Sequence, residues 1–93
     1  GKRGNIQDLA LIHNKVTIGD DVSVGHCATV HGATIGDRVT IYSGASVLGG
    51  DTVIGHDAVI GGNAFITHSI APGMRVSVKN HELEMRMMKD VNW

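Results

Sequence analysis

Ninety-three residues, with eight Lys+Arg against nine Asp+Glu, make one small domain (1–93) of net charge -1. It lacks the basic face with which a nucleic-acid binder neutralises phosphates, and no apolar run approaches the ~20 residues of a bilayer-spanning helix. A single cysteine, Cys27, excludes an internal disulfide framework and fits a reducing, cytoplasmic setting. No apolar segment of a secretory leader follows Gly1-Lys2-Arg3-Gly4, so none is expected.

The apolar 42% contains one Phe, one Tyr and one Trp, with twenty Val and Ile, four Leu and thirteen Gly. Side chains branched at Cβ, together with glycine, favour short strands and tight turns around a core too narrow for rings. An isolated fold of this size buries only about 60% of its unfolded surface, so an oligomer is expected.

An aliphatic residue recurs at every sixth position with two one-residue slips: Ile6, Ile12, Ile18, Val24, Val30, Ile35, Ile41, Val47, Ile54, Ile60, Ile66. Most units carry a second small or β-branched residue four places later, from Ala10 to Ile70, and Gly often follows the first aliphatic, as in Ile18-Gly19 and Ile35-Gly36. Six suits neither a helix of 3.6 nor plain alternation; it suits a short strand, a turn and another short strand. Three hexads close a coil of about eighteen residues, and strands of successive coils then lie ~4.8 Å apart. The eleven hexads of residues 6–71 therefore predict a parallel β-helix of three to four coils.

Pro72-Gly73 ends the repeat, and Met74 to Lys79 reads as a last strand. Beyond it Asn80 reads as an N-cap, with Glu82 and Glu84 in a first turn and Leu83, Met87 and Val91 at i, i+4, i+8. This spacing predicts a short helix over 80–93, its stripe packed on the coil or on a neighbouring subunit.

The repeat is also a ruler for side chains. His13 and His31 are eighteen apart and should stack on one face, close enough for two imidazoles to share a metal. His26 lies one prism side earlier, behind a corner. A symmetric trimer would bring His26 of a neighbour to complete a three-histidine site with an open fourth position, the pattern of catalytic zinc. Otherwise these are solvated exterior histidines. Asp8 lies eighteen residues before His26, stacked where a carboxylate can orient an imidazole. His56 and His68 have no second histidine stacked at eighteen and read as solvated or interface residues. Cys27 reads as a small residue beside a turn.

The hexads resemble the hexapeptide-repeat proteins, and this resemblance implies an all-β, left-handed parallel β-helix; the usual crossover rule would give the opposite hand. Within it, residues 5–40 resemble the zinc core of the γ-class carbonic anhydrases. The segments concerned are Asn5-Ile6-Gln7-Asp8, Leu11-Ile12-His13, the run Thr17 to His26, and Val30-His31-Gly32-Ala33-Thr34-Ile35-Gly36-Asp37. The resemblance implies a homotrimer in which His13 and His31 of one subunit and His26 of the next hold zinc, with cobalt or iron as other candidates. Gln7 would then hydrogen-bond the zinc-bound water or bicarbonate, Asp8 would support the ligands, and zinc hydroxide would hydrate CO2 to bicarbonate. The family's long acidic loop between its first two ligands is absent, since only Asn14 to Gly25 separates them, and so is its upstream arginine.

From Ile41 the likeness changes. Tyr42-Ser43-Gly44-Ala45, the run Leu48 to Asn63, and Phe65 to Gly73 make residues 41–80 similar to the C-terminal coils of serine O-acetyltransferases, which implies acetyl-CoA bound between subunits. That family's segments bearing the general-base histidine do not occur here. Three readings follow: a γ-carbonic-anhydrase-like zinc enzyme first, an acyl-CoA-dependent transferase second, and an inert recombined or designed trimer third.

Overall fold

The computed structural model describes residues 1–79 and 82–87. Eleven strands of two or three residues follow one another at turns: β1 (Asn5–Ile6), β2 (Leu11–His13), β3 (Thr17–Ile18), β4 (Ser23–Val24), β5 (Thr29–His31), β6 (Thr34–Ile35), β7 (Thr40–Ile41), β8 (Ser46–Leu48), β9 (Val53–Ile54), β10 (Val59–Ile60) and β11 (Phe65–Ile66). Two strands of six residues, β12 (Met74–Lys79) and β13 (Glu82–Met87), close the described chain. Every third short strand returns to the same face. The faces are β1-β4-β7-β10-β12-β13, β2-β5-β8-β11 and β3-β6-β9, parallel throughout except for β12 with β13. A parallel bridge from Ile54 to Ile70 extends the third face, giving a β-solenoid of about four turns with no helix among the described residues.

Alternation within each short strand produces the core. The repeating aliphatics Val24, Ile41, Ile60 and Val76 point in from the first face, Val30, Val47 and Ile66 from the second, and Ile35 and Ile54 from the third, all at 2% exposure or less. Small residues fill the corners, among them Ala28, Ala33, Ala45, Ala58 and Ala64, because three walls this close leave no room for a ring. Full burial of each Ile or Val stabilises by about 1.5–3 kcal/mol. The first coil has a neighbour on one side only; its Ile6 is 52% exposed and Ile12 and Ile18 are half-buried.

The two slips in the repeat change coil length. The register steps by eighteen from Asn5 to Ser23, seventeen from Ser23 to Thr40, and nineteen from Thr40 to Val59. Glycine after the inward aliphatic has a steric reason. A Cβ at Gly36 would stand 2.7 Å from the backbone nitrogen of His56 in the next coil, closer than strand spacing permits.

The last strand of the repeat forms as the sequence predicts, but the helix expected over 80–93 does not: residues 82–87 form β13, antiparallel to β12 from Met74↔Met87 to Lys79↔Glu82. The sequence Glu82-Leu83-Glu84-Met85-Arg86-Met87 alternates polar and apolar, and that period of two competes with the four-residue spacing of Leu83, Met87 and Val91. The edge of β12 supplies hydrogen-bonding partners and decides the contest. The remainder of that helix, residues 80, 81 and 88–93, lies outside the described residues. No described helix is long and apolar enough to cross a membrane.

Candidate functional site

Three side-chain groups emerge from the coil. On the second face β2 and β5 pair in register, Ile12 opposite Val30 and His13 opposite His31. With the aliphatics turned inward, the two imidazoles stand outside, stacked with ring centroids 5.0 Å apart and planes 24° from parallel. The eighteen-residue ruler places this pair correctly. The Asn14 side-chain amide lies 3.3 Å from His31 Nε2.

The second group occupies the corner between the first and second faces. Cys27, at φ 58°, makes the left-handed turn there and donates its backbone N–H to the carbonyl of Asp8 at 3.2 Å, so Asp8 and His26 belong to stacked turns one coil apart. No hydrogen bond joins the Asp8 carboxylate to the His26 ring. Gln7 is half-buried beside Asp8, its N–H bonded to the carbonyl of Val24. The structure thus brings His13 to His31 and Asp8 to His26 but leaves the two pairs at opposite ends of the second face. Among the described residues of one chain, no three His, Cys, Asp or Glu side chains gather closely enough to hold a metal. Cys27 is exposed and free.

The third group lies at the corner between the third and first faces. His56 Nδ1 is 2.8 Å from Asp57 Oδ2, and Asp57 also accepts from Arg38 Nε at 2.7 Å and Nη2 at 3.1 Å. The Arg38 guanidinium first, and His56 second, hold the Asp57 carboxyl down at about 2. An ionised carboxylate only accepts, so it makes Nδ1 the donor and leaves the Nε2 lone pair open, the arrangement of an oriented general base. His56 is the one described histidine bonded to a carboxylate. Sequence reasoning missed it by searching only for a second histidine at one-coil spacing. The detectable signal was the His56-Asp57 dipeptide with Arg38 nineteen residues before Asp57, one long coil away. His68 has only the Thr67 hydroxyl near Nδ1, at 3.3 Å.

The ladder continues along that corner: Arg3 clamps Asp21 through Nε at 2.6 Å and Nη2 at 2.9 Å, and the bond lowers the Asp21 pKa. Exposed pairs of this kind contribute little each but fix the turns in line.

Residues 15–49 match the bacterial transferase hexapeptide family (six repeats). Over an alignment fifty residues long, the chain is 46% identical to Protein YrdA of Escherichia coli (strain K12) and, equally, of Shigella flexneri, with 42% of this chain and 27% of those relatives covered. The chain therefore corresponds to about a quarter of the length of those relatives. Among solved structures, a hexapeptide transferase family protein from Anaplasma phagocytophilum superposes over 97% of this chain and 55% of its own, with TM-score 0.81 and 24% identity. PerB from Caulobacter crescentus, in complex with CoA and GDP-perosamine, superposes over 89% and 54% with TM-score 0.56 and 12% identity. These structural likenesses establish the fold, and the stacked parallel sheets are consistent with its left-handed course.

Proposed function

We propose acyl transfer from a coenzyme A thioester to a hydroxyl or amine, with His56 as general base, in a chain whose residues 15–49 match the bacterial transferase hexapeptide family. The observation that carries this reading is the His56–Asp57–Arg38 relay. The family match and the fold shared with PerB, whose complex contains CoA, support transfer over carbon dioxide hydration. His56 Nε2 takes the proton of the acceptor as its oxygen or nitrogen bonds to the thioester carbonyl carbon. The C–S bond then breaks, and the departing thiolate receives that proton from the imidazolium, so the proton balance closes. Asp57 keeps the imidazole in the required tautomer and offsets its transient charge. Release of free thiol from acetyl-CoA across a panel of hydroxyl and amine acceptors tests this reading. A His56→Ala substitution should slow release by about 100-fold or more; an unchanged rate would overturn the assignment.

One specific observation favours a second reading, the stack of His13 on His31. Both are nitrogen donors on an outer face, which fits two ligands of a zinc, cobalt or iron ion; His26 of a neighbouring subunit in a trimer would supply a third. Zinc held there supplies Lewis acidity that activates water toward carbon dioxide. Gln7 would position the substrate by hydrogen bonding and Asp8 would orient His26. Metal analysis of protein purified without added metal should then find one zinc per subunit in wild type and none in His31→Ala. A confirmed trimer without zinc would overturn it.

A further inference from the structure

We propose that the corner between the second and third faces binds a small monoanionic oxyanion, a carboxylate or bicarbonate, in a notch lined by Asn14, Lys15, His31, Gly32 and Gly50. Both slips of the hexad meet at this corner. The register pairs His13 with His31 and Leu48, and Thr17 with Thr34 and Val53. Three residues therefore turn the first coil here (Asn14, Lys15, Val16), two turn the second (Gly32, Ala33), and four turn the third (Gly49 to Thr52). A short turn between two longer ones leaves a recess. Gly32 lines it at φ +70°, a conformation that side chains rarely adopt, and a Cβ there would touch Gly50 Cα at 3.4 Å.

The rim is chemically one-sided. No carboxylate lines the notch, and Lys15 is exposed with no ion pair among the described residues; Asp51, next to Gly50, does not engage it. Consecutive left-handed residues, Asn14 at φ 64° and Lys15 at φ 45°, build the lower rim. That backbone is uncommon for residues other than glycine and is retained where surrounding structure demands it. Asn14 spends one amide hydrogen on His31 Nε2 and keeps another, and Lys15 lines the same notch. One ammonium and one amide donor match the single charge and two oxygens of a carboxylate or bicarbonate; a phosphate dianion would leave charge uncompensated.

This inference needs neither acyl-CoA nor metal, so its test is separate from both readings above. Isotope-labelled, EDTA-treated protein is titrated at constant ionic strength with acetate, and in parallel with bicarbonate, while the backbone amides of Gly32 and Gly50 and the Asn14 side-chain amide are followed by NMR. Saturable shifts confined to these groups are expected. Lys15→Gln, shown to be folded by an otherwise unchanged spectrum, should weaken binding about tenfold, and Lys15→Arg should restore it. The absence of saturable shifts with either anion, or equal affinity in Lys15→Gln, would overturn the proposal.

Discussion

Two corners of one prism, built from the same hexads, differ in a way that separates scaffold from chemistry. Along the corner between the third and first faces the turn residues Arg3, Asp21, Arg38, Asp57 and Gly73 all adopt φ between 55° and 73°. Turns of equal length, four residues each at 19–22, 36–39 and 55–58, stack unlike charges into Arg3–Asp21 and Arg38–Asp57 pairs. Along the corner between the second and third faces no two successive turns have the same length, and charges do not stack; the result is a recess beside the histidine pair. A repeat stabilises where it is kept and exposes unpaired polar groups where it slips.

The largest difference between these corners should come from backbone clearance. Gly36→Ala, at the regular corner, places a methyl 2.7 Å from the backbone nitrogen of His56 and should cost about 1–3 kcal/mol in chemical denaturation. A smaller effect is expected from Arg38→Gln. Asp57 is held at about 2, below its unfolded value of about 4, so its stabilisation is full above pH 4 and fades as pH falls through 4 toward 2. Because the pair is exposed and screened by solvent, its loss should cost little at neutral pH. The gap between wild type and variant in acid unfolding curves should narrow across that window; a gap constant with pH would break the ladder's assigned role. The smallest effect belongs to Gly50→Ala at the irregular corner. Nothing lies within 4 Å of its added methyl, and stability should change by less than about 0.5 kcal/mol. If Gly50→Ala proved as costly as Gly36→Ala, the two corners would not differ as described.

Much of this was legible in the residues. The β-branched positions announce which side chains point inward, because a solenoid buries the same position of each unit in turn. The spacing of His13 and His31 gives their stack directly. The short step from Val30 to Ile35 and the long one from Val47 to Ile54 are visible in the sequence, but that both fall at one corner emerges only once the faces are assigned. The relay at His56 was hidden because the ruler looks for a second histidine, whereas the partners of His56 are the adjacent Asp57 and, through it, Arg38 nineteen residues before Asp57. Strand β13 was misread as helix because Leu83 and Met87 satisfy both a period of two and a spacing of four, and pairing with β12 resolves an ambiguity that local pattern leaves open. In one chain the Asp8–His26 turns and the histidine stack stand at opposite ends of the second face, and only the proposed trimer would bring them together.

The most direct test asks which half of the molecule carries the chemistry. Thiol release from acetyl-CoA, measured on metal-stripped protein with the responsive acceptor, should be the same in wild type and His31→Ala and about 100-fold lower in His56→Ala. Release that requires added zinc, falls in His31→Ala and survives in His56→Ala would contradict the transferase assignment and move the function to the histidine stack.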